Sequence, residues 1–402
     1  MVVDSTRSND RKQPAILVLE DGSHFEGIAA GAPGKTIGEA VFNTSMSGYQ
    51  EILTDPSYRG QLLTFTMPHI GNYGVSGADR ESMAIQASGL IVRSISRMAS
   101  NYRSEISFIK WLEDNGTVAI SEVDTRALTR HIRDKGVMMG AIVHGAGAAD
   151  VAAIVAELRD YPDYGNEDMI ARVACEQPMS VVVSQDALCE TQLATGLRAA
   201  EVRLVALGSE PVATERPHVV VVDFGVKQSI LRCLDRSGFR MTLVPASYGA
   251  EQIAALKPDG VLYSNGPGDP AVLDHHLASI RQTSMSHPTL GICLGHQLLA
   301  RAHGASTFKL PFGHRGPNQP VMNLARKTVC MTSQNHGYAV DPTSFSQDVV
   351  ITHVNLNDQT IEGFRHRTLP IFAVQYHPEA GPGPHDADDC FDDFAAAVRA
   401  NL

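Results

Sequence analysis

A lone cysteine between two glycines, at the end of an apolar run, is the first feature that could carry chemistry. In Thr289-Leu290-Gly291-Ile292-Cys293-Leu294-Gly295-His296-Gln297 the residues before Cys293 suit a buried strand. Residues 294–303 suit a helix, with Leu298, Leu299 and Ala302 able to face a core and Gly304 placed to stop it. Gly-x-Cys-x-Gly therefore falls on a sharp strand-to-helix turn, the geometry of a nucleophile elbow. A thiol at a helix start also feels the positive end of the macrodipole, which favours the attacking thiolate. The plainer reading of a lone cysteine on an apolar strand is a buried structural thiol.

A cysteine nucleophile needs a base, and the base needs an orienting group. Ile371-Phe372-Ala373-Val374-Gln375-Tyr376-His377-Pro378-Glu379 supplies both at a strand end. Side chains two apart in extended backbone share a side, so Glu379 can hold the His377 imidazole with its other nitrogen towards Cys293. An isolated His-x-Glu would read as a solvated strand end; coupled to the elbow it reads as a triad. The oxyanion needs backbone donors. The N–H of Leu294 and one from the Gly266-Pro267-Gly268 loop are the obvious supply. Together these parts describe amide or ester hydrolysis through a thioester.

The elements that must position these residues follow from a chain of 402 residues, enough for two or three domains. A net charge of −11 argues against nucleic-acid binding. The cysteines at 175, 189, 233, 293, 330 and 390 are scattered without a Cys-x-x-Cys pair, which fits a reducing compartment and gives no support to a zinc site. No apolar run approaches the ~20 residues of a membrane span. The polar first thirteen residues resemble no targeting signal. The expected location is cytoplasmic.

Residues 14–145 read as a mixed α+β domain that opens with a hairpin and contains helices over 104–114 and 125–135. Ala29-Ala30-Gly31-Ala32-Pro33-Gly34-Lys35-Thr36 mimics a phosphate loop, but the residues after it read as a turn and a strand rather than a helix, so a plain Gly/Pro loop is expected. Residues 146–216 form a connecting region, with linker composition around Ser209 to Pro217. Residues 217–402 alternate apolar strands with helices, which predicts an α/β unit with a doubly wound, mostly parallel sheet. Ligands in such sheets bind beyond the carboxyl ends of the strands, where Asp223-Phe224-Gly225, Asn265-Gly266-Pro267-Gly268 and Cys293 all fall.

Four motifs together resemble the triad-type, class I glutamine amidotransferases: Ser264-Asn265-Gly266-Pro267-Gly268-Asp269-Pro270, the Cys293 elbow, Gln334-Asn335-His336-Gly337-Tyr338 and His377-Pro378-Glu379. The first domain is similar to that of the carbamoyl-phosphate synthase small-chain family. Phe42-Asn43-Thr44-Ser45-Met46-Ser47-Gly48-Tyr49-Gln50-Glu51-Ile52-Leu53-Thr54-Asp55-Pro56-Ser57-Tyr58, Pro68-His69-Ile70-Gly71-Asn72 and Asp124-Thr125-Arg126-Ala127-Leu128-Thr129-Arg130 carry that likeness, as does Asp223-Phe224-Gly225-Val226-Lys227. The resemblance implies Cys293 as nucleophile, His377 and Glu379 completing the triad, and Gly268 and Leu294 as oxyanion donors. It implies that Gln297, Asn335, Gly337 and Tyr338 hold glutamine, that Gly266 lines the pocket and that Ser57 reaches in from the first domain. Family members usually carry Phe where this chain has Tyr338, so main-chain binding there is implied.

It further implies a large ATP-binding synthetase partner that combines ammonia, bicarbonate and ATP into carbamoyl phosphate for arginine and pyrimidine synthesis. ATP, Mg and bicarbonate are expected on that subunit and no cofactor or metal on this chain. No nucleic-acid or membrane partner is expected. The competing readings are a glutaminase for GMP, CTP or anthranilate synthesis, a non-catalytic glutamine-binding subunit, and a general cysteine hydrolase.

Overall fold

The computed structural model describes residues 13–184, 201–209, 215–387 and 389–402. Most of the polar N-terminal tail, Cys189 and the middle of the 209–217 linker fall outside the described residues.

The first domain closes on itself. Seven strands, β1 (Pro14–Leu19), β2 (His24–Gly31), β3 (Lys35–Asn43), β4 (Gln61–Phe65), β5 (Gly89–Ile91), β6 (Val118–Ser121) and β7 (Met138–His144), form a barrel in the order β1-β2-β6-β5-β4-β3-β7. The expected hairpin is there, with Leu17 opposite Phe25 in an antiparallel pair. The Gly/Pro stretch before Lys35 runs straight into β3, so no helix follows it and no phosphate cradle forms. Apolar residues of β1, β4 and β6 fill the barrel. Outside them, α1 (Tyr49–Thr54) and α2 (Phe108–Asp114) bury Tyr49, Phe108 and Leu112 in a second cluster.

α2 starts four residues later than the sequence pattern predicts. Ile106 is committed to an isolated bridge with Val75, and the Ser107 side chain then caps the helix by accepting from Lys110 N–H. α3 (Thr125–Lys135) matches its predicted span, capped by Asp124 on the Ala127 N–H and ended by Gly136. α4 (Val151–Asp160) follows and packs Ile154 and Leu158 against the barrel.

The second sheet has eleven strands. Its centre is parallel: β10 (His218–Asp223), β11 (Arg240–Pro245), β12 (Gly260–Tyr263), β13 (Thr289–Ile292) and β18 (Ile371–Val374), in the order β11-β10-β12-β13-β18. Every residue of β10 is buried, so this strand is covered on both faces. Each of its valines contributes roughly 1.5–3 kcal/mol by leaving water.

Antiparallel strands extend this core on both sides. β8 (Met179–Ser184) and β9 (Glu201–Ala206), from the region read as connecting, join beyond β11. On the other side β17 (Ile361–His366), β16 (Val349–Asn355), β14 (Thr307–Asn323) and β15 (Thr328–Val340) follow β18. Of the helices that cover the sheet, α5 (Gln228–Arg236) and α6 (Ala250–Ala255) come first in the chain. α7 (Leu277–Ser284), α8 (Leu294–Ala302) and α9 (Asp389–Arg399) follow. A 3-10 segment, Pro270–His276, leads into α7.

The β14–β15 hairpin leans on the barrel. Lys309 pairs with Glu39 at 2.7 Å, and Val137 N–H donates to Pro311 O at 2.8 Å. The Phe42 and Phe312 rings stack at 6.0 Å. This contact brings a barrel loop to the carboxyl ends of the parallel strands.

Candidate active site

Cys293 sits between β13 and α8 with φ 55° and ψ −104°, a region non-glycine residues rarely occupy. The surrounding packing holds it there. α8 approaches β12 so closely that a β-carbon on Gly295 would lie 2.1 Å from the Tyr263 carbonyl oxygen. Only glycine permits that contact. The thiol is buried, donates to Asn335 O at 3.6 Å and accepts from Gln375 Nε2 at 3.7 Å.

β18 ends three residues before His377, whose Nδ1 bonds Glu379 Oε1 at 2.6 Å. His377 Nε2 makes no ordinary hydrogen bond and turns to Cys293, an interaction that favours the charged, protonated ring. Burial opposes that charge, yet Glu379 and Cys293 together push the imidazole up to about 10. Burial likewise opposes the Glu379 carboxylate, but Lys227 and His377 hold it down at about 2. Lys227, from the turn after β10, reaches Glu379 Oε1 at 3.0 Å and donates to Ala380 O. The ring and carboxylate are thus set as an ion pair, with a buried ammonium fixing the carboxylate.

The other expected residues converge on the same cleft. Ser57, Gly266, Gly268, Gln297, Asn335, Gly337 and Tyr338 all line it with Cys293. Leu294 is outside this lining, but its N–H opens α8 and so has no acceptor within the helix. Ser57 Oγ accepts from Asn265 Nδ2 at 3.0 Å, across the domain boundary. Asn335 Nδ2 donates to Asp55 Oδ2 at 2.8 Å, a second such crossing. Gln297 Nε2 donates to Tyr338 O at 2.7 Å and to Gln375 Oε1 at 3.0 Å. A β-carbon on Gly266 would sit 2.1 Å from Phe224 O, so that loop also depends on glycine.

Gly268 N–H donates to Tyr164 Oη at 3.1 Å. To act on an oxyanion it must exchange that partner.

Behind the cleft, His336 Nδ1 donates to Tyr338 O at 2.9 Å, and both His336 and His314 lie 3.0 Å from Gln334 Oε1. Burial disfavours a charged His314, but Asp358 and Glu362 outweigh it and push the ring up to about 9. This layer fixes the Asn335 to Tyr338 backbone.

Sequence reasoning assigned no role to Lys227, Gln375, Tyr164, Asp55 or Arg315. The alternation that links His377 to Glu379 also places Gln375 on the same side, two residues earlier. Tyr164 follows α4 in a turn of the connecting region and carries no local signal.

A sequence model of the carbamoyl-phosphate synthase small chain, CPSase domain, matches residues 17–142, and one of the class-I glutamine amidotransferase matches residues 220–397. The carbamoyl phosphate synthase small chain of Syntrophotalea carbinolica is 47% identical over 388 residues, covering 96% of this chain and 98% of that protein. That of Rhodopirellula baltica is 47% identical over 380 residues, with 94% and 95% covered. That of Escherichia coli is 44% identical over 387 residues, with 96% and 97% covered.

The chain belongs to the carbamoyl-phosphate synthase small-chain family. It is the glutamine-hydrolysing subunit type, a small chain with a class-I amidotransferase domain. The N-terminal match separates it from glutaminases of other pathways, and the intact Cys293, His377 and Glu379 group separates it from a purely binding subunit.

In this small chain the Tyr338 main chain, not its hydroxyl, meets the Gln297 amide. Tyr338→Phe is therefore expected to leave the KM for glutamine within about twofold. Steady-state kinetics with glutamine checks this; a tenfold rise would give the hydroxyl a role in binding.

Proposed function

We propose that this chain hydrolyses glutamine through a thioester on Cys293 and passes the ammonia to a large ATP-dependent synthetase subunit. The observation that carries the reading is the buried His377–Glu379 pair at 2.6 Å, clamped by Lys227 beside the strained Cys293.

The Cys293 sulfur attacks the glutamine side-chain carbonyl carbon, with the charged His377 ring as its counter-ion. The carbonyl oxygen gathers negative charge and takes N–H donors from Leu294 and from Gly268, released by Tyr164. His377 Nε2 gives its proton to the amide nitrogen as the C–N bond breaks, and ammonia leaves. A water then loses a proton to His377 and attacks the thioester. Glutamate departs and the sulfur regains its starting state. Glu379 keeps the imidazole in one orientation throughout, and Lys227 keeps Glu379 ionised. Ser57, Gly266, Gln297, Asn335, Gly337 and Tyr338 hold the rest of the substrate.

Carbamoyl phosphate is made on the large subunit, where ATP, Mg and bicarbonate bind. This chain carries no metal or cofactor of its own in this scheme. Among the described residues no helix is long and apolar enough to cross a membrane. A cytoplasmic biosynthetic enzyme serving arginine and pyrimidine synthesis fits that.

The test is glutamate release by the purified chain, alone and with the large subunit, ATP and bicarbonate. Weak release alone that rises with the partner is expected. Full activity indifferent to the partner would overturn the coupled role.

A further inference from the structure

The cleft that holds Cys293 contains a buried cation without an ion-pair partner among the described residues. Arg315, on β14, is only 4% exposed and lines the cleft. Its Nη1 donates to Phe312 O at 2.7 Å, while its Nε is buried without any hydrogen-bond partner. Among the described residues it forms no ion pair. Burying a guanidinium unpaired is costly, so such a group marks a place where an anion belongs.

The other charges of the cleft are already committed. Glu39 takes Lys309 at 2.7 Å and the Gln61 amide at 3.0 Å. Asp55, whose field reaches Tyr58 and Tyr164 as that of Arg315 does, spends its oxygens on the Ser57 N–H and on Asn335. Glu379 is held by Lys227 and His377. Among the described residues Arg315 is the cation of the cleft that has no ion-pair partner and an unbonded buried Nε.

Its place in the cleft says which anion fits. Nη2 lies 3.3 Å from where a β-carbon on Gly337 would stand, so the guanidinium flanks a stretch of bare backbone beside the cleft. The same backbone, through Asn335 O, contacts the Cys293 sulfur. A glutamine whose side-chain amide meets that sulfur has its α-carboxylate at the far end of the molecule. Guanidinium groups match carboxylates with parallel N–H donors.

We propose that Arg315 binds the α-carboxylate of glutamine and so selects free α-amino acids over amides lacking that charge. This rests on the glutaminase reading above. It adds a specificity-determining residue to the main-chain donors expected at Gly337 and Tyr338, and it gives the unpaired charge a partner. A β-carbon on Gly337 would stand 3.3 Å from Nη2, a tight contact that glycine avoids.

The test compares wild-type chain, Arg315→Met and Arg315→Lys, each with the large subunit, on glutamine and on glutaminamide, in which the α-carboxylate is a neutral amide. Ammonia release from both substrates is followed. Wild type is expected to favour glutamine strongly. Arg315→Met is expected to raise the KM for glutamine about 10- to 100-fold with kcat little changed, and to leave glutaminamide turnover within about twofold. Arg315→Lys is expected to recover part of the glutamine KM. Unchanged glutaminamide kinetics in the variant show that it is folded and that the thiol works. Equal losses on both substrates would overturn the proposal, because they would make Arg315 structural. An unchanged glutamine KM would overturn it too. A wild-type chain inactive on glutamine would instead refute the glutaminase reading, and the comparison separates these cases.

Discussion

Cys293→Ser is expected to abolish glutamine-dependent carbamoyl phosphate synthesis, by at least about 10³-fold, while synthesis from added ammonia with the large subunit stays within about twofold. The serine hydroxyl fits the same strained turn, since only one atom changes, and Gly295 still permits the approach of α8. What is lost is the anion. An alkoxide is far harder to form than a thiolate, and the charged His377 ring cannot make up the difference. The ammonia-dependent reaction bypasses this chain's chemistry, so it reports assembly of the complex. Equal loss of both activities would sink the division of labour between the subunits.

Lys227→Met is expected to cost both stability and turnover. Lys227 is buried, touches Glu379 at 3.0 Å and lies in the fields of Glu81 and Asp55 as well. Removing it leaves buried carboxylates without their main counter-charge. Breaking a buried pair from one side typically costs about 3–5 kcal/mol. Turnover of glutamine is expected to fall about 10²-fold or more, since Glu379 loses the ammonium that fixes it against His377.

The pH dependence has a definite sign. Glu379 titrates at about 2 in the folded chain, below its ordinary value of 4.5. Its contribution to stability is therefore complete above pH ~4.5 and lost as the pH falls towards ~2. The stability gap between wild type and Lys227→Met should thus be widest near neutral pH and narrow on acidification. Urea unfolding midpoints at pH 7 and pH 3 measure it. A gap that stays constant with pH would mean that Lys227 acts through packing rather than through charge.

The candidate centre was legible because its parts are local. The elbow is a run of nine residues whose apolar strand, paired glycines and helical spacing agree, and β13 and α8 appear where that pattern puts them. His377 and Glu379 are two residues apart in extended backbone, so their contact follows from strand geometry. Ser57 was placed by family resemblance. Its polar, turn-rich loop reads as surface, yet it is buried against Asn265.

What could not be read depends on contacts between distant segments. Closure of β1 against β7 brings residues 14–19 to residues 138–144, and nothing in either strand announces the partner. β8 and β9 lie in the stretch read as a connecting region, yet they pair with each other and extend the large sheet. Tyr164 and Arg315 gain their importance only from what the fold places beside them. A lone charge in a sequence does not say whether it will be buried, or paired.

The barrel's closure also limits how this domain can be approached. An open sheet offers an edge of unpaired N–H and C=O groups, a template that any extended chain can extend, wanted or not. Here the ring β1-β2-β6-β5-β4-β3-β7 leaves no such edge, whereas the larger sheet ends in β9 on one side and β15 on the other. A neighbouring molecule must therefore recognise the barrel by its side chains and loops. Among the described residues, main-chain adhesion of this kind is confined to the margins of the second sheet.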